Sequence, residues 1–259
     1  MNDRASIDRR SIRTASEQEL RLRRDVALGY RLIARFGFDD LTDGFVSARL
    51  PGEPHALFGG YGRLPALVTA SSLHRRPIEG EIALEKAGGV DVDARCFARM
   101  IYGNVPDAGA CIHAHPLAVM VFSALETDFA PISQYAFMFA GKIAAIPFLS
   151  GDVSGGPMKD AIVDAVQSGA KAILLKNHGT LVYGRTVAEA FWWLYRLEQT
   201  CRIQIEAMKT GASFATPAAD ALRHIQKTYL TEDYVDYDGS REWDELARAA
   251  DRTDPSWRD

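Results

Sequence analysis

The sequence predicts an α/β fold with a mainly antiparallel central sheet. Segments of helical periodicity are mixed with short apolar runs, and several of these runs follow one another with only a turn between them. Strands joined by short turns pair antiparallel, whereas parallel pairing needs a long crossover. The 259 residues are 47% apolar, which is enough for a full hydrophobic core.

Three regions differ in composition along the chain. Residues 1–16 are polar and charged, so we expect a flexible arm. Residues 17–230 contain the patterned helices and strands and are expected to form the folded domain. Residues 231–259 are acidic and polar, and we expect this tail to pack only through its aromatic side chains.

The first elements are predicted from periodicity and turn residues. A helix is expected at about 17–36, with a capping-box pattern at Ser16, and GFVSARLPG and HALFGGYG indicate two strands around a Pro-Gly turn. Residues 94–102 have helical spacing, with Asp93 available as the N-cap. The run ACIHAHPLAVMVFSAL begins as a buried strand and becomes a helix after Pro116. The later elements are predicted as strand 144–149, helix 157–168, strand 172–179 and helix 186–209.

Charge and cysteine usage exclude several classes of protein. The net charge is −4, and no basic stripe with interleaved aromatic residues is present, so neither nucleic acid nor an anionic membrane is expected as a partner. The amino terminus has no apolar segment typical of a signal peptide, and no run of eighteen apolar residues occurs. The three cysteines have no CxxC spacing, which favours a reducing compartment. We therefore expect a cytoplasmic protein that acts on a small molecule.

Three histidines form the strongest candidate site. His113 and His115 are two residues apart near a strand, so both imidazoles point to one face. His178 follows the apolar strand AILL and precedes a glycine, which is a similar position at the end of a buried strand. Such residues can be ordinary hydrogen-bonded core histidines. Three imidazoles from two strand ends also match a catalytic metal site that leaves one coordination position open.

The motifs HAHP and NHGTLVYG, about sixty residues apart, resemble the class II aldolase/adducin family. The resemblance extends to IYGNVPDAGACIHAHP, GFVSAR and the helix TVAEAFWWLYRLEQTCR, and it covers roughly residues 20–210. It implies a three-layer α/β/α sandwich, usually a homotetramer. It also implies a divalent zinc, manganese, iron or cobalt ion bound by His113, His115 and His178.

The resemblance implies two further catalytic residues. In the aldolases, a tyrosine four residues after a proline reaches the active site of a neighbouring subunit, and Pro131 and Tyr135 have this spacing. A second tyrosine near the carboxyl terminus corresponds to Tyr229 in KTYL. Each tyrosine can instead be an ordinary amphipathic interface residue.

The sequence departs from the sugar-phosphate members of the family at two positions. Their catalytic glutamate, which precedes the helix before the HxH motif, falls on Ala94. The asparagine of their phosphate-binding loop is replaced by Phe45, whose ring offers no hydrogen bond. The site is therefore poorly suited to a phosphorylated sugar, and Asp93 would repel a phosphate dianion.

Other residues are candidates for the missing roles. Asp93 is adjacent to Ala94 and could carry a proton, although N-capping explains it equally well. Arg63 and Arg95 could each bind a substrate carboxylate through two hydrogen bonds, or could be solvated surface residues.

The sequence therefore favours a metal-dependent carbon–carbon lyase, either a decarboxylase or an aldolase. Its expected substrate is a non-phosphorylated hydroxy- or keto-carboxylate, aliphatic or aromatic. Two alternatives stay open: a non-haem iron oxygenase of an aromatic acid, and a non-catalytic interaction protein resembling adducin.

Overall fold

The computed structural model describes residues 9–83, 89–148, 153, 155–229 and 238–259. Side chains are described from residue 16 onward, except at 226, 228 and 229. Seven strands form one sheet in the order β3-β2-β1-β4-β7-β6-β5. The strands are β1 Phe45–Arg49, β2 His55–Phe58, β3 His74–Pro77, β4 Ala110–Ala114, β5 Ile143–Ile146, β6 Ala172–Leu175 and β7 Gly179–Gly184.

The sheet is mainly antiparallel, as the sequence predicts. Every neighbouring pair is antiparallel except β5 and β6, which run parallel. The helices are α1 Arg9–Phe36, α2 Val92–Asn104, α3 Leu117–Ser123, α4 Gln134–Met138, α5 Gly156–Gln167, α6 Val187–Lys209, α7 Ala219–Tyr229 and α8 Ser240–Thr253. The mixed α/β architecture is thus confirmed.

Adjacent residues of β1 show how helices cover both faces of the sheet. The ring of Phe45 stacks 6.2 Å from that of Phe97 on α2. The next side chain, Val46, lies instead against Gly29 on α1, where an added Cβ would be 3.1 Å from a Val46 methyl group. Because successive strand residues point to opposite faces, α2 and α1 cover opposite sides of the sheet. The α/β/α layering follows from this alternation.

Several predicted element boundaries are wrong. The strand predicted at 144–149 ends earlier, because β5 is Ile143–Ile146 and Pro147 follows it. Helix α1 begins at Arg9, so residues 9–16 of the expected flexible arm are helical and Ser16 lies inside the helix. This extension is consistent with the absence of glycine and proline from residues 9–16. The N-cap of α2 is Asp91, whose carboxylate accepts from the Asp93 amide at 3.4 Å, so Asp93 lies in the first turn.

The predicted strand 172–179 is also too long. Strand β6 ends at Leu175, and Asn177 adopts a left-handed conformation with φ of +60°. The chain turns there into β7, which pairs with β6 as a hairpin. His178 therefore lies in a tight turn rather than at the end of a strand.

The carboxyl-terminal segment packs through more than its aromatic side chains. Trp243 and Trp257 are buried, as expected, and the indole of Trp243 donates to Asp25 on α1 at 2.9 Å. Arg31 of α1 also pairs with Asp254 at 2.8 Å, which the prediction of aromatic packing alone did not include. Among the described residues, no helix has both the length and the apolar character needed to cross a bilayer.

Candidate metal centre

Three histidines meet where the central strands of the sheet end. His113 lies on β4, His115 just beyond the end of β4, and His178 in the turn between β6 and β7. One nitrogen from each ring lies within 4.8 Å of the others, and the ring centroids are 4.7 to 5.0 Å apart. The structure brings together the three residues that the sequence selected, and we call them the histidine cluster.

His113 is held on the α2 side of the sheet by aromatic packing and one hydrogen bond. Its ring lies 5.1 Å from that of Phe97, and Phe45 is its cross-strand neighbour. Its Nδ1 lies 2.9 Å from the carbonyl oxygen of Thr180 on β7. Since a carbonyl can only accept, Nδ1 carries the proton and the lone pair is on Nε2, which faces the other two rings.

His115 is confined between a carboxylate and a glycine. Its Nδ1 lies 3.5 Å from Asp40 Oδ2, and its Nε2 lies 3.1 Å from Nε2 of His113. A Cβ added to Gly179 would be 2.5 Å from Cδ2 of the His115 ring. Glycine is therefore required at position 179 for steric reasons, and the ring can occupy only a narrow range of positions.

The turn that carries His178 is tight. Its backbone amide donates to the carbonyl of Leu175 at 3.1 Å, and Asn177 supplies the left-handed residue that reverses the chain. Asparagine is among the few non-glycine residues that adopt this conformation readily. Asn177 and Gly179 thus bring His178 back over the end of β4.

Burial favours the neutral form of all three imidazoles. Burial lowers the pKa of His113 well below its ordinary value, and the neighbouring His115 and His178 lower it further. Burial also lowers the pKa of His115 and of His178, although Asp43 opposes the shift in both and Asp40 opposes it in His115. Neutral imidazoles have the free lone pair that a metal ion requires.

The donor set fits a divalent transition metal. A tetrahedral ion with metal–nitrogen bonds of about 2.0–2.1 Å places its ligand nitrogens roughly 3.3 Å apart. The 3.1 Å between the two Nε2 atoms is close to that value, and the full set lies within 4.8 Å. Three nitrogen donors with one side open are typical of catalytic rather than structural zinc sites.

Sequence reasoning missed an acidic turn beside the histidine cluster. Asp40 and Asp43 are joined by a backbone hydrogen bond of 2.9 Å in the turn that leads into β1. Both side chains are exposed, and both influence the histidines electrostatically. The signal lay in DDLTD directly before GFVS, but its use required knowing that the start of β1 pairs with the end of β4.

Phe45 lies beside His113, and Ala94 is on α2, the helix that packs on that side of His113. Ala94 is buried in the first turn of α2, three residues before Phe97, which contacts His113. Phe45 is only 4% exposed, and its ring packs against Phe97. Asp93, the predicted proton carrier, is exposed at the start of α2.

The two candidate arginines have different environments. Arg63 is exposed in the turn after β2. The end of β2 lies beside the start of β1, which in turn pairs with His113 on β4. This turn therefore lies at the same ends of the strands as the histidine cluster. Arg95 is 7% exposed, and its guanidinium donates to the carbonyl of Pro77 at 3.4 Å, so it ties α2 to β3.

The two tyrosines lie on helices that the sequence analysis did not predict. Tyr135 is half-buried on α4, and the guanidinium of Arg196 lies over its ring at 4.4 Å from the centroid. Tyr229 is the last residue of α7, and its side chain is outside the described part of the chain. Their proposed roles toward a neighbouring subunit remain predictions.

The fold and the histidine cluster together define a class: an α/β protein with a candidate site for a catalytic divalent metal. Residues 24–205 match the family described as the Class II Aldolase and Adducin N-terminal domain. The chain belongs to the class II aldolase and adducin family, as its motifs indicated.

Solved structures and a curated relative agree with this assignment. An aldolase II superfamily protein from Pseudomonas syringae is 28% identical and superposes with a TM-score of 0.83, covering 96% of this chain and all of that one. An L-fuculose 1-phosphate aldolase from Glaciozyma antarctica PI12 is 24% identical with a TM-score of 0.80, over 95% of this chain and 94% of that one, and supports the fold. Human beta-adducin is 31% identical over 82% of this chain, which spans 29% of the length of that protein.

Proposed function

We propose that this protein is a metal-dependent carbon–carbon lyase acting on a non-phosphorylated hydroxy- or keto-carboxylate, by decarboxylation or retro-aldol cleavage. The observation that carries the proposal is the histidine cluster, with three neutral nitrogen donors within 4.8 Å of one another. Membership of the class II aldolase and adducin family supports it. The Nε2 atoms of His113 and His115 lie 3.1 Å apart, and the His178 ring centroid lies 5.0 and 4.9 Å from those of the other two rings.

The proposed ligands of the ion are His113, His115 and His178. A divalent cation held there supplies Lewis-acid chemistry, because it stabilises the negative charge that develops on substrate oxygen as the carbon–carbon bond breaks. Thr180 orients His113 through a hydrogen bond, and Asp40 Oδ2 lies 3.5 Å from Nδ1 of His115.

The remaining roles are assigned by position. Phe97 and Phe45 shield His113 from water on the α2 side, where Ala94 leaves no carboxylate. Asp93 is the proposed proton carrier at the start of α2. Arg63 follows β2 at the same ends of the strands as the histidine cluster, and it is the first candidate to bind the substrate carboxylate. Arg95 is the second candidate.

The preference for a substrate without phosphate rests on charge and hydrogen bonding. Phe45 cannot donate to a phosphate oxygen, and Asp40 and Asp43 place negative charge beside the histidine cluster. A phosphate dianion would be repelled by these carboxylates, whereas a single carboxylate is repelled less. Decarboxylation also needs less acid–base machinery than aldol cleavage, which suits Ala94.

A substrate screen tests the proposal. Protein loaded in turn with zinc, manganese, iron and cobalt is incubated with matched hydroxy- and keto-carboxylates and their phosphorylated analogues. We expect carbon dioxide or an aldehyde to be released from the non-phosphorylated set, with no oxygen consumed. Oxygen uptake with iron would indicate an oxygenase instead, and turnover of the phosphorylated analogues alone would contradict the proposal.

A second candidate is a non-catalytic interaction protein. The 31% identity to human beta-adducin over 82% of this chain favours it. The retention of all three histidines, two of them only partly buried, favours the enzyme. Metal-free protein that stays folded and binds no divalent ion after reconstitution would support the second candidate.

Proposed roles for Tyr135 and Tyr229 require an oligomer. We propose that the chain assembles with copies of itself, as a homotetramer, so that these side chains enter a neighbouring site. Sedimentation analysis together with activity of mixed variants tests this. A monomer with full activity would remove both tyrosines from the mechanism.

A further inference from the structure

The helix that follows the HAHP motif lacks a cap of its own. Helix α3 begins at Leu117, and its N-cap position is Pro116, which has no side-chain acceptor. The amides in the first turn of a helix have no partner within the helix. The amides of Ala118 and Val119 therefore need an acceptor from elsewhere in the fold.

Glu198 of α6 supplies that acceptor from eighty positions along the chain. Its Oε1 accepts from the Ala118 amide at 3.3 Å, and its Oε2 accepts from the Val119 amide at 3.1 Å. Oε1 also accepts from Arg202 at 3.0 Å. Glu198 is fully buried, and a carboxylate is stable in such a position only when its oxygens are hydrogen-bonded.

The capped turn lies directly beside His115. One residue, Pro116, separates His115 from Leu117, and its ring fixes its own φ and restricts His115 to an extended backbone. The connection between the capped amides and His115 is therefore short and stiff. Helix α6 also packs against β4 and β7, which carry or adjoin the other two histidines.

We propose that Glu198 is a positioning residue that sets the placement of His115 by anchoring the start of α3 to α6. This inference rests on the proposed function, because His115 is one of its three proposed metal ligands. Glu198 does not touch the ion or the substrate. It acts through the backbone of residues 116–119, whose amides at 118 and 119 it accepts from.

The test compares Glu198→Ala and Glu198→Gln with the unmodified chain, using cobalt(II) as the probe. We expect Glu198→Ala to weaken cobalt binding by on the order of 10-fold, the lower end of the effect of removing a supporting residue around a metal site. The visible cobalt spectrum should change at saturation, since the geometry of one ligand is altered. Glu198→Gln keeps one acceptor oxygen and should recover part of both the affinity and the spectrum.

Gln204→Ala is the matched control. Gln204 is also buried on α6, and it accepts from the Ala130 amide at 2.9 Å and donates to the Asp128 carbonyl at 2.8 Å. It holds a different segment to the same helix, so its loss should lower stability without changing cobalt affinity or spectrum. Equal cobalt affinity in Glu198→Ala and the unmodified chain, or equal weakening in Gln204→Ala, would overturn the proposal.

A metal-free readout separates this inference from the proposed function. In the apo protein, Glu198→Ala should shift the imidazole resonances of His115 and speed hydrogen exchange at Ala118 and Val119, whereas Gln204→Ala should leave all of these unchanged. If the unmodified chain binds no cobalt, the proposed function fails. The His115 resonances and the hydrogen exchange of the apo protein still show whether Glu198 positions His115. Unchanged His115 resonances in Glu198→Ala would contradict the positioning role whatever the metal result.

Discussion

The Nδ1 atom of His113 lies 2.9 Å from the carbonyl oxygen of Thr180, so the strand next to β4 determines which nitrogen of His113 is free. Nε2 faces Nε2 of His115 at 3.1 Å, which is a contact distance typical of two ligands of one ion. A backbone carbonyl is a support that side-chain substitution cannot remove. The groups around the cluster that substitution can change are therefore the imidazoles themselves, Gly179 and Asp40.

Removing one histidine of the cluster should abolish metal binding while the fold is kept. His178→Ala is the first choice, because its ring lies in a turn and is less buried than that of His113. Elemental analysis should find about one ion per chain in the unmodified protein and none in the variant, with unchanged circular dichroism. His224→Ala, an exposed histidine on α7, is the control and should keep its metal.

An added methyl group at Gly179 should displace His115. The new Cβ would lie 2.5 Å from Cδ2 of His115 and 2.7 Å from the carbonyl oxygen of Ala114, so the ring or the turn must move. We expect Gly179→Ala to weaken metal binding by about 10-fold or more, as measured by competition with a chelator. Gly155→Ala, where the Cβ meets no atom within 4 Å, should bind metal normally. Equal affinities in the two variants would show that His115 is not confined by residue 179.

Loss of the Asp40 carboxylate should loosen His115. Asp40 Oδ2 lies 3.5 Å from Nδ1 of His115, and carboxylates in this position orient a ligand imidazole and increase its basicity. Because Asp40 is about half exposed, we expect Asp40→Asn to reduce metal affinity by roughly 10-fold, at the low end of such effects. Asp160→Asn on the exposed face of α5 is the control, and isothermal titration measures both. An Asp40→Asn variant that binds metal as tightly as the unmodified chain would show that Asp40 does not support His115.

The contribution of Asp25 to stability should be less favourable at neutral pH than at acidic pH. Burial raises the pKa of this carboxyl above 3.8, so its charged form is disfavoured in the fold. Its unfavourable contribution is absent below pH 3.8, grows as the pH rises through the folded-state pKa, and is complete at neutral pH. Asp25→Asn keeps an acceptor for the Trp243 indole and should raise the free energy of unfolding at pH 7 but not below pH 3.8.

Asp251 should show the opposite dependence on pH. Arg258 donates to both of its oxygens, at 2.7 and 2.8 Å, and holds the pKa of Asp251 below its usual value. This contribution is present above the unfolded-state pKa and is lost as the pH falls through the folded-state pKa. Asp251→Asn should therefore lower stability at pH 7 and have no effect in strong acid, as urea unfolding at the two pH values would show. The same sign of effect in both variants would contradict the assignments.

Sequence reasoning could locate the cluster from the two-residue period of a strand and from an apolar run that ends before a histidine. The two-residue spacing of His113 and His115 in a strand puts both rings on one face, and the structure places their centroids 4.7 Å apart. The third histidine was found from the apolar run before it. Its actual support, the left-handed Asn177, depends on a hairpin between β6 and β7 that spacing alone did not predict.

Contacts between segments far apart in the chain could not be predicted from the sequence. Asp40 contacts His115 only because β1 lies beside β4, and Glu198 caps α3 from a helix eighty residues away. The same limit explains the wrong N-cap at Asp93, since Asp91 and Asp93 offer the same side chain and only the backbone path decides between them. Local sequence patterns predicted which helices and strands form. Tertiary packing determined where they end and which side chains contact the histidines.

Metal content is the measurement that tests the central claim most directly. The protein is purified without chelator, reconstituted with zinc, dialysed and analysed for metal alongside His113→Ala. We predict about one zinc per chain in the unmodified protein and none in the variant. No bound zinc in the unmodified protein, or equal amounts in both, would contradict a metal centre at His113, His115 and His178.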